Sequence, residues 1–95
     1  MTAIMFVRIK AHPGEEERVG VGMKALIELV RAEDGCLQFD VHRDLADPAV
    51  FTIYERWRDL ASHAVHQQSE HFRDIAQGEV MDHADVEVLE LADLL

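Results

Sequence analysis

The strand-forming segments of this chain are apolar on both faces, and few folds accept that. From Thr2 to Ala11, Ile4 and Phe6 alternate with Met5, Val7 and Ile9. From Val50 to Trp57, Phe51 and Ile53 lie opposite Val50 and Tyr54. From Ala84 to Leu91, Val86 and Val88 lie opposite Leu89 and Leu91. A sheet with one wet face should carry polar residues at alternate positions. Here one apolar set packs under helices, and the other also needs a cover, because exposed patches of that size are uncommon on monomers. The economical cover is a second copy, sheet against sheet, in a two-fold homodimer. The alternative is a C-terminal tail folded over the sheet, with only a few residues after Leu91 to do it.

The remaining segments complete the element order. Glu15 to Glu33 places Val19, Met23, Leu26, Ile27 and Val30 at three- and four-residue spacing, which predicts a helix with one apolar stripe. Glu15, Glu16 and Glu17 suit its positive start and Arg31 its negative end. Gly20 and Gly22 weaken it locally and permit close packing on a strand. Asp34-Gly35 signals a turn or C-cap. Cys36 to Arg43 reads as a strand with Leu37, Phe39 and Val41 on one face. Asp59 can cap a short helix over Leu60 to Gln68, and Ser69 a second from Glu70 to about Val80, with a break between them. The order is β-α-β-β-α-β: an α+β, ferredoxin-like domain over residues 1–95, with one four-stranded antiparallel sheet.

Charge narrows the partners. Nine basic and nineteen acidic residues give a net charge of −10. Nucleic acid is excluded as a partner, since its affinity rests on basic residues neutralising phosphates, and an anionic membrane surface is disfavoured likewise. No apolar run approaches the roughly 20 residues of a membrane span, and the first ten residues lack the pattern of a signal peptide. The single cysteine, Cys36, has no internal partner. It reads as an inert buried thiol, and a cytoplasmic location is expected.

The candidate chemistry lies between Glu55 and Phe72. Three of the six histidines, His63, His66 and His71, fall in this stretch. His63 and His66 are one helical turn apart, and the break at Gln68-Ser69 would return His71 toward His66. Imidazole exchanges protons near neutral pH, and His66 is the first candidate for that work, ahead of His71 and His63. A His-x-x-His pair without a cysteine pair or carboxylate motif does not specify zinc, and no metal is expected. Trp57, the only tryptophan, is in phase with Phe51, Ile53 and Glu55 and offers a wall on which a planar ligand stacks. Glu55 points inward on that face, and as a buried carboxylate it needs an arginine or backbone N–H partner. Phe39 lies on the helix-facing side of its strand, whereas Asp40 and His42 point toward the expected dimer contact.

Together Glu33-Asp34-Gly35-Cys36-Leu37-Gln38-Phe39-Asp40-Val41, Asp47-Pro48, Phe51, Glu55-Arg56-Trp57, His66 and His71-Phe72 resemble the antibiotic biosynthesis monooxygenase (ABM) family. The ordered spacing carries the resemblance: Glu-x-Trp, eight residues, His, four residues, His-Phe. It covers nearly the whole chain and implies a dimeric α+β barrel with a cavity between sheet and helices. It implies oxidation of a small electron-rich aromatic (a quinol, anthrone or polyphenol) by O2 without metal or flavin. By position, Phe39, Trp57, Glu55 and Phe72 would bind the substrate, and His66 and His71 would be catalytic. Haem-degrading relatives use a first-strand asparagine and a later histidine that fall here on Val7 and Ala76, so haem degradation is not implied. A relative that isomerises a small phosphorylated signalling ketone resembles the stretch Leu37 to Val41 and gives an alternative activity. For that anionic substrate the chain offers only Arg8, Arg43 and Arg56. The third reading is a non-catalytic dimeric binding domain, since fold alone does not establish function.

Overall fold

A computed structural model describes all 95 residues. Strand β1 (Ala3–Ala11) leads into helix α1 (Glu16–Arg31), then β2 (Cys36–Arg43), β3 (Val50–Trp57), helix α2 (Leu60–Gln67), a π-helix (Phe72–Val80), one 3-10 turn (Met81–His83) and β4 (Ala84–Leu91). The four strands form one sheet in the order β2-β3-β1-β4, with every neighbouring pair antiparallel. This is the ferredoxin-like α+β fold expected from the element order. No helix is long and apolar enough to cross a membrane.

Register sorts the side chains into rows across the sheet. Val41, Ile53, Val7 and Val88 form one row beneath the helices, and Phe39, Glu55, Met5 and Glu90 the next. The opposite face carries Asp40, Tyr54, Phe6 and Leu89, then Gln38, Arg56, Ile4 and Leu91. The main core lies between the first face and the helices and includes Met5, Val7, Ile9, Val19, Met23, Leu26, Val30, Ile53 and Trp57. Gly20 of α1 packs on Phe51 of β3 as expected, whereas Gly22 makes room for Val80 of the π-helix.

Three features differ from the sequence reading. A bulge between Cys36 and Gln38 takes Leu37 out of phase, so it does not join Phe39 and Val41 and is 57% exposed. The segment capped by Ser69, whose Oγ accepts from the Phe72 N–H at 3.2 Å, winds as a π-helix through most of its length. Such segments are rare and concentrate at functional sites. Finally, the chain end does reach over the outer face. Asp93 pairs with Arg56 of β3 at 3.0 Å, and Ile4, the register partner of Arg56 on β1, is buried. The apolar residues of the outer face that remain partly or well exposed include Phe6, Tyr54, Leu89 and Leu91, and the other end of that face is polar, with Arg8, Lys10, Asp85 and Glu87.

Candidate active site

A mostly apolar cavity of about 90 Å³ lies between the sheet and the helices. Its floor is the sheet, at Met5, Val7, Phe39, Ile53 and Glu55, and its opposite wall is α1, at Met23, Leu26 and Val30. The π-helix contributes Phe72, Ala76 and Val80. Val88 on the edge strand β4 faces the helix side and is 52% exposed. The polar groups are few: Glu55, His63, His66 and Gln67, and no arginine or lysine lines the space.

Helix α2 sets the histidines. Asp59 caps it, accepting from the Ser62 N–H at 2.8 Å. His63 and His66 then share the inward face. The ring of His66 is tilted 31° against Trp57, with centroids 4.6 Å apart, and meets Phe72 edge-on at 5.1 Å. These two aromatics restrict its rotamer. Its Nδ1 lies 2.6 Å from Oε2 of Glu33, so the carboxylate accepts the Nδ1 proton and the Nε2 lone pair remains. Nε2 has no protein partner and is not sealed, and His66 borders the cavity.

Glu33 is the site residue that sequence reasoning missed. The turn that follows α1 places it. Arg31, in the last turn of α1, donates to the Phe39 carbonyl and to Asp40 at 3.0 and 3.1 Å, fastening the helix end to β2. Gly35 adopts φ +88°, and a Cβ there would stand 2.6 Å from Cβ of Ser62, so only glycine lets α2 approach this turn. The Arg58 N–H donates to the Gly35 carbonyl at 2.8 Å, and its guanidinium reaches Asp34 and Ser62. The Asp34-Gly35 signal was legible as a turn, but not its consequence, which is to aim Glu33 at α2. One hint was available. An acid just past the C-terminal end of a helix opposes the macrodipole and needs another reason to be there.

The remaining candidates divide. Phe39, Glu55, Phe72 and His66 line the cavity. His71 does not: its Nε2 donates to the same Glu33 oxygen at 2.8 Å from the far side, and its ring faces a surface depression with Leu29 and Asp74. Trp57 does not line it either. It is fully buried one layer back, behind His66, and its indole N–H donates to Oε1 of Glu55 at 2.8 Å. Glu55 therefore has an indole partner rather than the arginine or backbone N–H groups expected. Burial pushes its carboxyl above the usual range, against the indole hydrogen bond and His66, which pull it down. His63, ranked last on sequence, borders the cavity, with Nε2 3.6 Å from Oε1 of Glu55, and burial holds its imidazole below its ordinary value. Cys36 is half-buried, and burial, then Glu33 and Glu55, raise its thiol, consistent with low reactivity.

The three-donor cluster in the structure involves His66 but not His63. Glu33, His66 and His71 bring three donor atoms within 4.8 Å of one another, a spacing a metal ion could bridge. In the structure these atoms satisfy one another, with the carboxylate oxygen bonded to both imidazoles.

Comparison with known proteins agrees with the motif reading. The family model for antibiotic biosynthesis monooxygenases matches residues 2–78. The crystal structure of PA3566 from Pseudomonas aeruginosa is 34% identical, with a TM-score of 0.89 over 100% of this chain and 97% of that one. A crystal structure named as an antibiotic biosynthesis monooxygenase is 26% identical, with a TM-score of 0.90 and full coverage of both chains. Rv0793 from Mycobacterium tuberculosis, 24% identical, shares the fold with a TM-score of 0.90 over 99% of this chain and 96% of its own. No match was found among curated proteins. The ordered motifs, the fold and the family match agree: this chain belongs to the antibiotic biosynthesis monooxygenase family.

Proposed function

We propose that this protein is a monooxygenase that oxidises a small, uncharged, electron-rich hydroxyarene with O2, drawing the electrons from the substrate itself. The observation that carries this reading is His66: Nδ1 held by a carboxylate, Nε2 free at an apolar cavity. O2 is a triplet and reacts slowly with closed-shell molecules, whereas a deprotonated hydroxyarene is a far better one-electron donor. His66 Nε2 takes the hydroxyl proton, and Glu33 stabilises the imidazolium that forms. One oxygen atom stays in the product and the other leaves as water, so the substrate supplies all four electrons and no outside reductant is needed. The apolar walls exclude water from the anion. Phe39 and Phe72 would flank the ring, with Trp57 holding the rotamer of His66 rather than stacking on substrate. The chain acts as a homodimer in this reading, two outer faces pairing through Phe6, Tyr54, Leu89 and Leu91, and the lone cysteine suits the cytoplasm.

The isomerase alternative is weaker here, because a phosphorylated ketone needs cationic partners and Arg8, Arg43 and Arg56 all lie outside the cavity lining. The test is oxygen uptake with a panel of hydroquinones and anthrones. Uptake should be lost in His66→Ala and retained in His83→Ala, since His83 lies away from the cavity. Isomerisation without oxygen consumption, or tight binding without turnover, would replace the proposal with one of the other two readings.

A further inference from the structure

The cavity wall holds more proton-handling groups than a single base requires. His63 and His66 stand one turn apart on α2, with ring centroids 5.9 Å apart. Each imidazole has its own carboxylate: Glu33 behind His66 at 2.6 Å, and Glu55 beside His63 at 3.6 Å. Glu55 is 5% exposed, yet only its Oε1 is engaged by Trp57; Oε2 has no protein partner and is not sealed from the cavity that Glu55 lines. The indole of Trp57 accounts for Oε1, whereas the buried Oε2 and the neighbouring imidazole have no partner beyond each other's residue, an arrangement a polar ligand would use.

We propose that Glu55 and His63 form a second ligand-binding acid–base pair, and that the substrate presents two neighbouring oxygens, one to His66 and one to this pair. The inference rests on the cavity reading above and adds the substrate class. Both imidazoles project from one helix onto one wall, which favours two oxygens on one edge of a ring over oxygens at its opposite ends. They fit oxygens on adjacent carbons, as in a catechol. His66 Nε2 receives the proton of one hydroxyl, whose O–H bond breaks and leaves its electron pair on the substrate oxygen. The second hydroxyl keeps its proton and shares it with the pair. The unpartnered Oε2 of Glu55 is the acceptor with which the second hydroxyl shares its proton, and burial shifts both partners of the pair toward their neutral forms.

The sole tryptophan reports on the site, since Trp57 is bonded to Glu55 and stacked on His66. The experiment is anaerobic titration of the protein with catechol, hydroquinone and phenol, followed by Trp57 fluorescence. Catechol should bind about tenfold more tightly than either of the others, the worth of one additional hydrogen-bonded contact. His63→Ala should reduce catechol to the phenol level. Glu55→Gln, which keeps an oxygen acceptor for the indole, should do the same, with circular dichroism confirming that both variants fold. Equal affinity for the three ligands, no binding of any, or a catechol preference that survives in His63→Ala would overturn the proposal. A preference that holds while oxygen uptake is absent would uphold this site and remove only the oxygenase reading.

Discussion

Oε2 of Glu33 lies 2.6 Å from Nδ1 of His66, joining the turn after α1 to the inner face of α2. The same oxygen accepts from His71 at 2.8 Å. One carboxylate thus fixes the tautomer of the imidazole that borders the cavity, and a second imidazole holds that carboxylate from outside. His71 is a positioning residue in this arrangement.

Glu33→Gln separates the charge of this group from its shape. Both imidazoles bond the same oxygen, so the amide oxygen placed there can still accept from both, and what the substitution removes is the negative charge. Oxygen uptake should fall about 10²-fold in kcat with little change in KM. Stability should fall by about 2 kcal/mol, as expected for hydrogen bonds to an ionised group. Urea unfolding and steady-state kinetics check the two effects, and unchanged kcat would remove Glu33 from the mechanism.

Gly35→Ala should damage the protein although it touches no site residue. A φ of +88° costs a non-glycine residue, and the new Cβ would collide with Ser62. Together these effects should cost about 3 kcal/mol, on the order of 15 °C in Tm for a domain of this size. Gly14→Ala is the control. Its φ is +86° with nothing within 4 Å, so only the backbone term applies, about 1 kcal/mol. Equal losses at the two positions would show that the approach of α2 to the turn contributes nothing.

How much of this was legible in the sequence depends on distance along the chain. Strand and helix spans follow from local periodicity, and β2, β3 and β4 lie where the alternation put them. Phe39, Glu55 and His66 were found because strand phase and helical spacing determine which way they point. Glu33 was not, because its role arises from a partner 33 positions away and nothing local marks it beyond its unfavourable place at a helix end. Leu37 was misplaced by a bulge, and Trp57 was given the cavity wall because phase tells the face but not the depth. His71 was expected inside because the break at Gln68-Ser69 does turn the chain back toward His66, but by way of Glu33 rather than the cavity.

The outer face supplies a test of pairing. Tyr54, Phe6 and Leu89 form a row across β3, β1 and β4, and Leu89 is 48% exposed in the single chain. Wild-type protein should sediment at twice the 10.8 kDa chain mass. Leu89→Arg places a charge within the proposed contact but at an exposed position of the single subunit. It should weaken association about 10²-fold while leaving the fold intact. A folded single subunit at every wild-type concentration would remove the sheet-to-sheet pairing.

Glu55 should make the protein less stable as pH rises. Burial lifts its carboxyl above the ordinary value of 4.5, so the folded state holds this proton more tightly than the unfolded chain does. That contribution is fully present below the unfolded value and is lost as pH rises through the folded one. Glu55→Gln removes the ionisation and keeps an acceptor for the Trp57 N–H. It should therefore be more stable than wild type near pH 8, by about 1 kcal/mol, as when a buried charge is replaced by a neutral group. The gap should close by about pH 4. His63 has the opposite slope: burial lowers its value below 6.5, so its contribution is present above that pH and lost as pH falls. Both proteins carry His63, so its slope enters the difference only through its contact with Glu55. Thermal unfolding of the two proteins across this range measures the gap directly, and a difference that does not change with pH would mean that Glu55 ionises as freely folded as unfolded.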